Sequence, residues 1–129
     1  MIVYVESSAA AKLLFREEGS AALKSTLDGL SGDGMPVISS TLLETELRRA
    51  ATRTAVDQQN VSEVLERILL LDVERADFRA AGLLPGPVRS LDALHVAVAL
   101  RIGADVMITY DEQQAEAARS AGLSTLAPA

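Results

Sequence analysis

Four segments of this chain carry carboxylates where the neighbouring residues are apolar or helix-initiating. Glu6 directly follows the run "IVYV". Glu44 and Glu46 fall in the first turns of "STLLETELRRA". Asp92 stands in the first turn of "SLDALHVAVAL", and Asp111 comes just past "DVMIT". There is no cysteine, and His95 is the single histidine. Oxygen donors without thiolates suit a hard divalent cation such as Mg2+ or Mn2+. The chemistry of such a centre is attack of water on a phosphodiester. The cation acidifies the water and neutralises charge that develops on the phosphate.

Each acid also has a plain structural reading. Asp92 favours a helix N-terminus through the helix dipole, and Asp111 is placed to cap a helix. Glu44 or Glu46 would pair with Arg48, Arg49 or Arg53 on an exposed helix face. Glu6 is the hardest to explain in this way. A charge after a buried strand costs free energy unless a cation or a basic side chain compensates it. His95 lies three residues after Asp92 and could share its face, but a lone histidine in "ALHVAVAL" reads first as a packed helix residue.

The elements that must position these acids alternate. Short apolar runs at 2–5, 36–39, 69–73 and 105–109 read as strands, with "STLAP" as a last edge strand. Helix formers fill the segments between them. The stretch "SAAAKLLFREEGSAALKSTLDGL" is broken near Gly19. "STLLETELRRAATRT", "DQQNVSEVLERILL", "RADFRAAGLL", "SLDALHVAVALRIG" and "DEQQAEAARSAGL" follow. Ser90 is placed to cap the helix that Gly103 ends. "GLSGDGMP" at 29–36 and "LLPGPVRS" at 83–90 read as loops. This order predicts a single α/β domain over 1–129, with a central parallel sheet of about five strands flanked by helices. In such a sheet ligands bind at the carboxyl ends of the strands. Glu6 and Asp111 both lie there, so the four acid segments can converge.

Composition narrows the class. With 49% apolar residues in 129, the chain can bury a core, and a folded rather than disordered chain is expected. No apolar run reaches the ~18 residues of a membrane span, and the absence of cysteine removes disulfides, so a cytoplasmic protein without membrane contact is expected. The net charge of −6 argues against a broadly nucleic-acid-binding surface but leaves room for a local basic patch.

Taken together, the acid segments resemble those of PIN-domain ribonucleases, and within them the VapC toxins of toxin–antitoxin pairs. "MIVYVESSAAAKLL" is similar to the family's first strand and acid. "SSTLLETELRRA" resembles its second segment and favours Glu46 over Glu44. "VRSLDALHVAVAL" resembles its Leu-Asp-Ala helix and maps the third acid onto Asp92. "MITYDEQQAEAARSAGL" resembles its Thr-x-Asp segment, with Asp111 as the fourth acid. The match spans nearly the whole chain. One departure is visible: the family usually has aspartate where Glu6 stands. The extra methylene extends the carboxylate by about 1.5 Å, the length of one C–C bond. Weakened or displaced metal binding is the expected result.

The resemblance implies a Mg2+- or Mn2+-dependent endoribonuclease that cuts structured RNA such as tRNA or rRNA. Glu6, Glu46, Asp92 and Asp111 would be its catalytic acids, with Glu6, Asp92 and Asp111 on the metal. Ser8 and Thr109 would steady these acids, although Ser8 also reads as a helix cap. Lys12, Arg48, Arg49 and Arg89 are candidate RNA-backbone contacts, or solvated surface charges. A homodimer and a cognate VapB-like antitoxin, covering the site with an extended tail that bears an arginine, are also implied. The apolar helical faces at 10–30 and 61–71 serve either those contacts or the core. Two further readings stay open. One is a catalytically weakened module that binds RNA or antitoxin without cutting. The other is a small phosphatase or receiver-like domain.

Overall fold

The computed structural model describes residues 1–129. Strands β1 (Val3–Val5), β2 (Val37–Ser40), β3 (Leu69–Leu71), β4 (Val106–Ile108) and β5 (Ser124–Leu126) form one sheet. Every pairing is parallel, in the order β3-β2-β1-β4-β5. The helices are α1 (Ser7–Phe15), α2 (Ser20–Gly32), α3 (Leu42–Thr54), α4 (Gln58–Leu65), α5 (Arg75–Gly82), α6 (Ser90–Arg101) and α7 (Glu112–Ser120).

The first strand is central and fully buried, which explains why it reads as an unbroken apolar run. Its side chains alternate between two cores. Val3 and Val5 join Ala9, Leu23, Leu43, Leu47, Val61 and others beneath α1 to α4. Tyr4 points the other way, into a smaller cluster with Val96, Val98, Ala99, Met107 and Ala118 of α6, β4 and α7, and with Leu123 just before β5. Three layers result, with the sheet in the middle.

Helices α6 and α7 end alike. Gly103 (φ 75°) and Gly122 (φ 101°) take the left-handed conformation. Ala104 N–H then returns to Ala99 C=O, and Leu123 N–H to Ala118 C=O, each at 3.0 Å. This closure satisfies carbonyls at the helix end and turns the chain sharply into β4 and β5. Because α6 feeds the start of β4, it begins at the opposite, carboxyl edge of the sheet. That places Asp92 at the edge where β1 and β4 end. Arg101, in the last turn of α6, grips the buried Asp77 of α5 at 2.9 Å and fixes the helix from its far end.

Some boundaries differ from the sequence reading. Helix α2 runs through Gly29 to Gly32, taking the first half of the expected loop. The helix expected over 57–70 stops at Leu65, because Leu69 to Leu71 are taken by the ladder to β2. Ser90 does not cap α6. Arg89 holds the cap position, with no side-chain bond to the helix. The apolar residues at 23, 27, 61 and 64 belong to the core.

Candidate active site

The four acids come from the carboxyl ends of β1 and β4, the second turn of α3 and the first turn of α6. Glu6 is 1% exposed. Its Oε1 accepts the Ala9 N–H at 3.1 Å, capping α1, and also takes the Ser8 hydroxyl. Burial pushes the Glu6 carboxyl up from its ordinary value, against the opposing pull of Ser8, His95 and Thr109. Glu6 is therefore buried as expected, but it is compensated by hydrogen bonds within its own helix start. Ser8 is not the cap. Its hydroxyl donates to Glu6 and accepts the Tyr110 N–H at 2.8 Å, tying the end of β1 to the end of β4.

A pH dependence follows from Glu6. Its pKa is raised in the folded state, so the fold binds a proton more tightly than the unfolded chain. The stability this gives is complete below the ordinary glutamate value of 4.5 and is lost as pH rises through the higher folded value. Urea midpoints of the protein and of Glu6→Gln, measured from that value upward, should diverge in favour of the glutamine form. Parallel curves would mean that the buried carboxylate carries no penalty.

Asp111 takes the cap role the sequence offered. Its Oδ1 accepts the Gln114 N–H at 2.9 Å, so it caps α7, and its own N–H donates to the Thr109 hydroxyl at 3.1 Å. Thr109 thus holds the backbone of Asp111 and makes no bond to its carboxylate. Asp92 lies close enough to feel it. Burial, then the Asp111 charge and, more weakly, Glu46, push the Asp92 carboxyl up, while His95 and Arg89 pull it down. Glu46 is the acid of α3 that faces inward. Its Oε1 lies 2.6 Å from His95 Nε2, whereas Glu44 pairs on the surface with Arg48 at 2.9 Å.

The basic residues divide. Lys12 is occupied by Glu17 and the Glu18 carbonyl and lies 4.5 Å from the centre of the Tyr110 ring. Arg48 is bound to Glu44, Gln58 and Ser62. Arg49 and Arg89 are exposed, and Arg89 is near enough to act on Asp92.

Sequence reasoning missed Gln114. This fully buried side chain accepts the Thr109 hydroxyl at 2.8 Å and donates to the Asp92 carbonyl at 3.1 Å, so it locks α7 and β4 to α6 between the two aspartates. The Asp-x-x-Gln spacing from Asp111 was the available signal, being a helix-start pattern.

What the arrangement can hold follows from its charges. Asp111 and Glu46 both repel Asp92 at a partly buried edge, and a hard cation would relieve that repulsion. No three acids or histidines are closed into a finished ligand cage, so the acids form an open wall.

A three-layer fold with an acid wall at the carboxyl edge defines a class, and the family model described as PIN domain matches residues 3–120. Ribonuclease VapC46 of Mycobacterium tuberculosis is 36% identical over 98% of this chain and 97% of its own length. Ribonuclease VapC35 of the same species is 34% identical with the same coverage. The chain belongs to the VapC ribonucleases of the PIN-domain family. The fold is shared with VapBC2 of Rickettsia felis, solved bound to a promoter DNA fragment (TM-score 0.78, 16% identity, 98% of each chain). It is also shared with M. tuberculosis VapC20, described as a sarcin-ricin loop cleaving toxin (TM-score 0.73, 17% identity, 98% of this chain and 99% of that one).

Proposed function

We propose that this protein is a toxin-type endoribonuclease that cuts structured RNA, tRNA or rRNA, with Mg2+ or Mn2+. The observation that carries this reading is the meeting of Glu46, Asp92 and Asp111, from three distant segments, at the sheet edge above Glu6. Asp92, Asp111, Glu6 and Glu46 would hold the cation. Both hydrogen bonds to Glu6 fall on Oε1, which leaves Oε2 as the oxygen it would offer. A bound divalent cation supplies an acidified water and charge neutralisation on the phosphate. Asp92 and Asp111 orient what binds between them, because Gln114 and Thr109 fix their backbones. Exposed Arg49 and Arg89 at the rim contact the RNA backbone and set its register without reading sequence.

Partners follow the same reading. A groove of about 700 Å3 between α1, α2 and α4 is lined by Lys12, Arg16, Lys24 and Arg67, by Glu17 and Glu63, and by Leu13 and Val64. Its apolar floor and mixed charges, basic in excess, suit a segment of a VapB-like antitoxin. A homodimer, one domain over 1–129 and a cytoplasmic place complete the proposal. No helix is long and apolar enough to cross a membrane.

The test is cleavage of a total tRNA and rRNA pool with Mg2+, with Mn2+ and with EDTA. Cutting that EDTA abolishes is the expected result. Glu6→Asp should cut faster, because the shorter side chain matches the family's usual ligand. A protein that cuts no RNA with either metal, as chain or as Glu6→Asp, would instead be an RNA- or antitoxin-binding module. The full engagement of Glu6 Oε1 favours that second reading.

A further inference from the structure

Beneath the acid wall lies a polar chain that the reaction as described does not use. Tyr4 Oη is 2.7 Å from His95 Nδ1, and His95 Nε2 is 2.6 Å from Glu46 Oε1. Tyr4 and His95 are fully buried, and their rings meet edge to face at 5.7 Å. Ser7 Oγ lies 3.1 Å from the same Nε2. Ser7 and Glu46 thus share one ring nitrogen. A nucleophilic triad needs the hydroxyl and the carboxylate on opposite nitrogens, so this is not one.

The donors can be assigned. A carboxylate only accepts, so a short contact from Nε2 to Glu46 requires hydrogen on Nε2. A phenol that keeps its proton can donate to Nδ1. At neutral pH a tyrosine hydroxyl carries its proton and can give it to this bond. The two bonds therefore agree on one orientation and one hydrogen placement for the ring.

We propose that Tyr4 and His95 are a buried positioning pair for Glu46. The Tyr4 hydroxyl occupies Nδ1, the ring hydrogen sits on Nε2, and it holds the Glu46 carboxylate in place beside Asp92. The inference rests on the metal-dependent reading above and adds to it two residues that touch neither substrate nor cation. Groups that orient a metal ligand in this way typically matter about 10- to 100-fold in metal affinity. Tyr4 is the informative member, because its hydroxyl can be removed while the ring stays packed against Val96, Val98 and Met107.

Two measurements on the full chain test the pair. Long-range 1H–15N correlation of His95 in the metal-free protein near neutral pH should show hydrogen on Nε2. An Nε2 without hydrogen would overturn the proposal. Mn2+ titration followed by electron paramagnetic resonance, with no RNA present, should then show affinity lost about tenfold in Tyr4→Phe and about a hundredfold in His95→Leu. His95→Gln, which keeps a donor of similar reach, should recover most of the loss. Tyr4→Phe that binds Mn2+ like the parent, or His95→Gln that behaves like His95→Leu, would refute the pair and leave the ribonuclease reading standing. A parent chain that binds no Mn2+ would remove both.

Discussion

Asp92→Asn is expected to lower metal-dependent RNA cleavage by about a thousandfold, roughly 4 kcal/mol of transition-state stabilisation, while raising the melting temperature. The two effects share one cause. Asp92 is held at a partly buried edge against Asp111 and Glu46, and its carboxyl is pushed up by burial and by their charges. Folding works against that carboxylate at neutral pH, and asparagine removes the repulsion. Cleavage needs the charge for the cation, and asparagine removes that as well. A site that opposes folding and serves function is a common trade. Single-turnover cleavage and a thermal melt of the same preparation measure both. An asparagine variant that cuts normally would remove Asp92 from the site. One that cuts poorly but melts lower would mean that Asp92 stabilises the fold, contrary to its place among like charges.

Leu47→Ala should cost about 3 kcal/mol of folding stability, a large part of the ~5–15 kcal/mol that holds a domain together. Leu47 is 1% exposed and sits in the larger core with Leu43 and Ala51 on the inner face of α3. Its neighbour in sequence, Glu46, turns from that face toward His95. A cavity under Leu47 therefore loosens the helix that presents a site acid. Urea unfolding gives the stability loss. A loss below about 1 kcal/mol would show that the site collapses onto the gap more completely than cores of this kind usually do.

The strands and their parallel sense were legible because a buried parallel sheet writes itself as short unbroken apolar runs between helices; their order across the sheet was not. The four acids were legible from position: Glu6 and Asp111 at strand ends, Asp92 and Glu46 near helix starts. What escaped depends on contacts between distant segments. Local pattern let the helix before β3 run on through Leu69 and Leu70, and pairing with β2 ended it earlier. Gly29 and Gly32 read as loop punctuation, yet α2 continues through them, with nothing within 4 Å of where either side chain would begin. His95 read first as a packed residue. It is packed, but packing and hydrogen bonding are compatible, and its partners Tyr4 and Glu46 lie on elements far away in sequence. Arg48 looked as available as Arg49, and only the approach of α4 shows that Gln58 and Ser62 claim it.

The order β3-β2-β1-β4-β5 places the first strand made beside one of the last. Residues 6, 46, 92 and 111 can meet only after the chain has been synthesised past β4, when Met107 and Ile108 pair with Tyr4 and Val5. During translation the acids stay apart, each on its own short segment. Under the proposed function, such a chain has no assembled site while it emerges from the ribosome and gains one only once β4 has paired with β1. That pairing is also the first point at which an inhibitor of the site would find its surface formed.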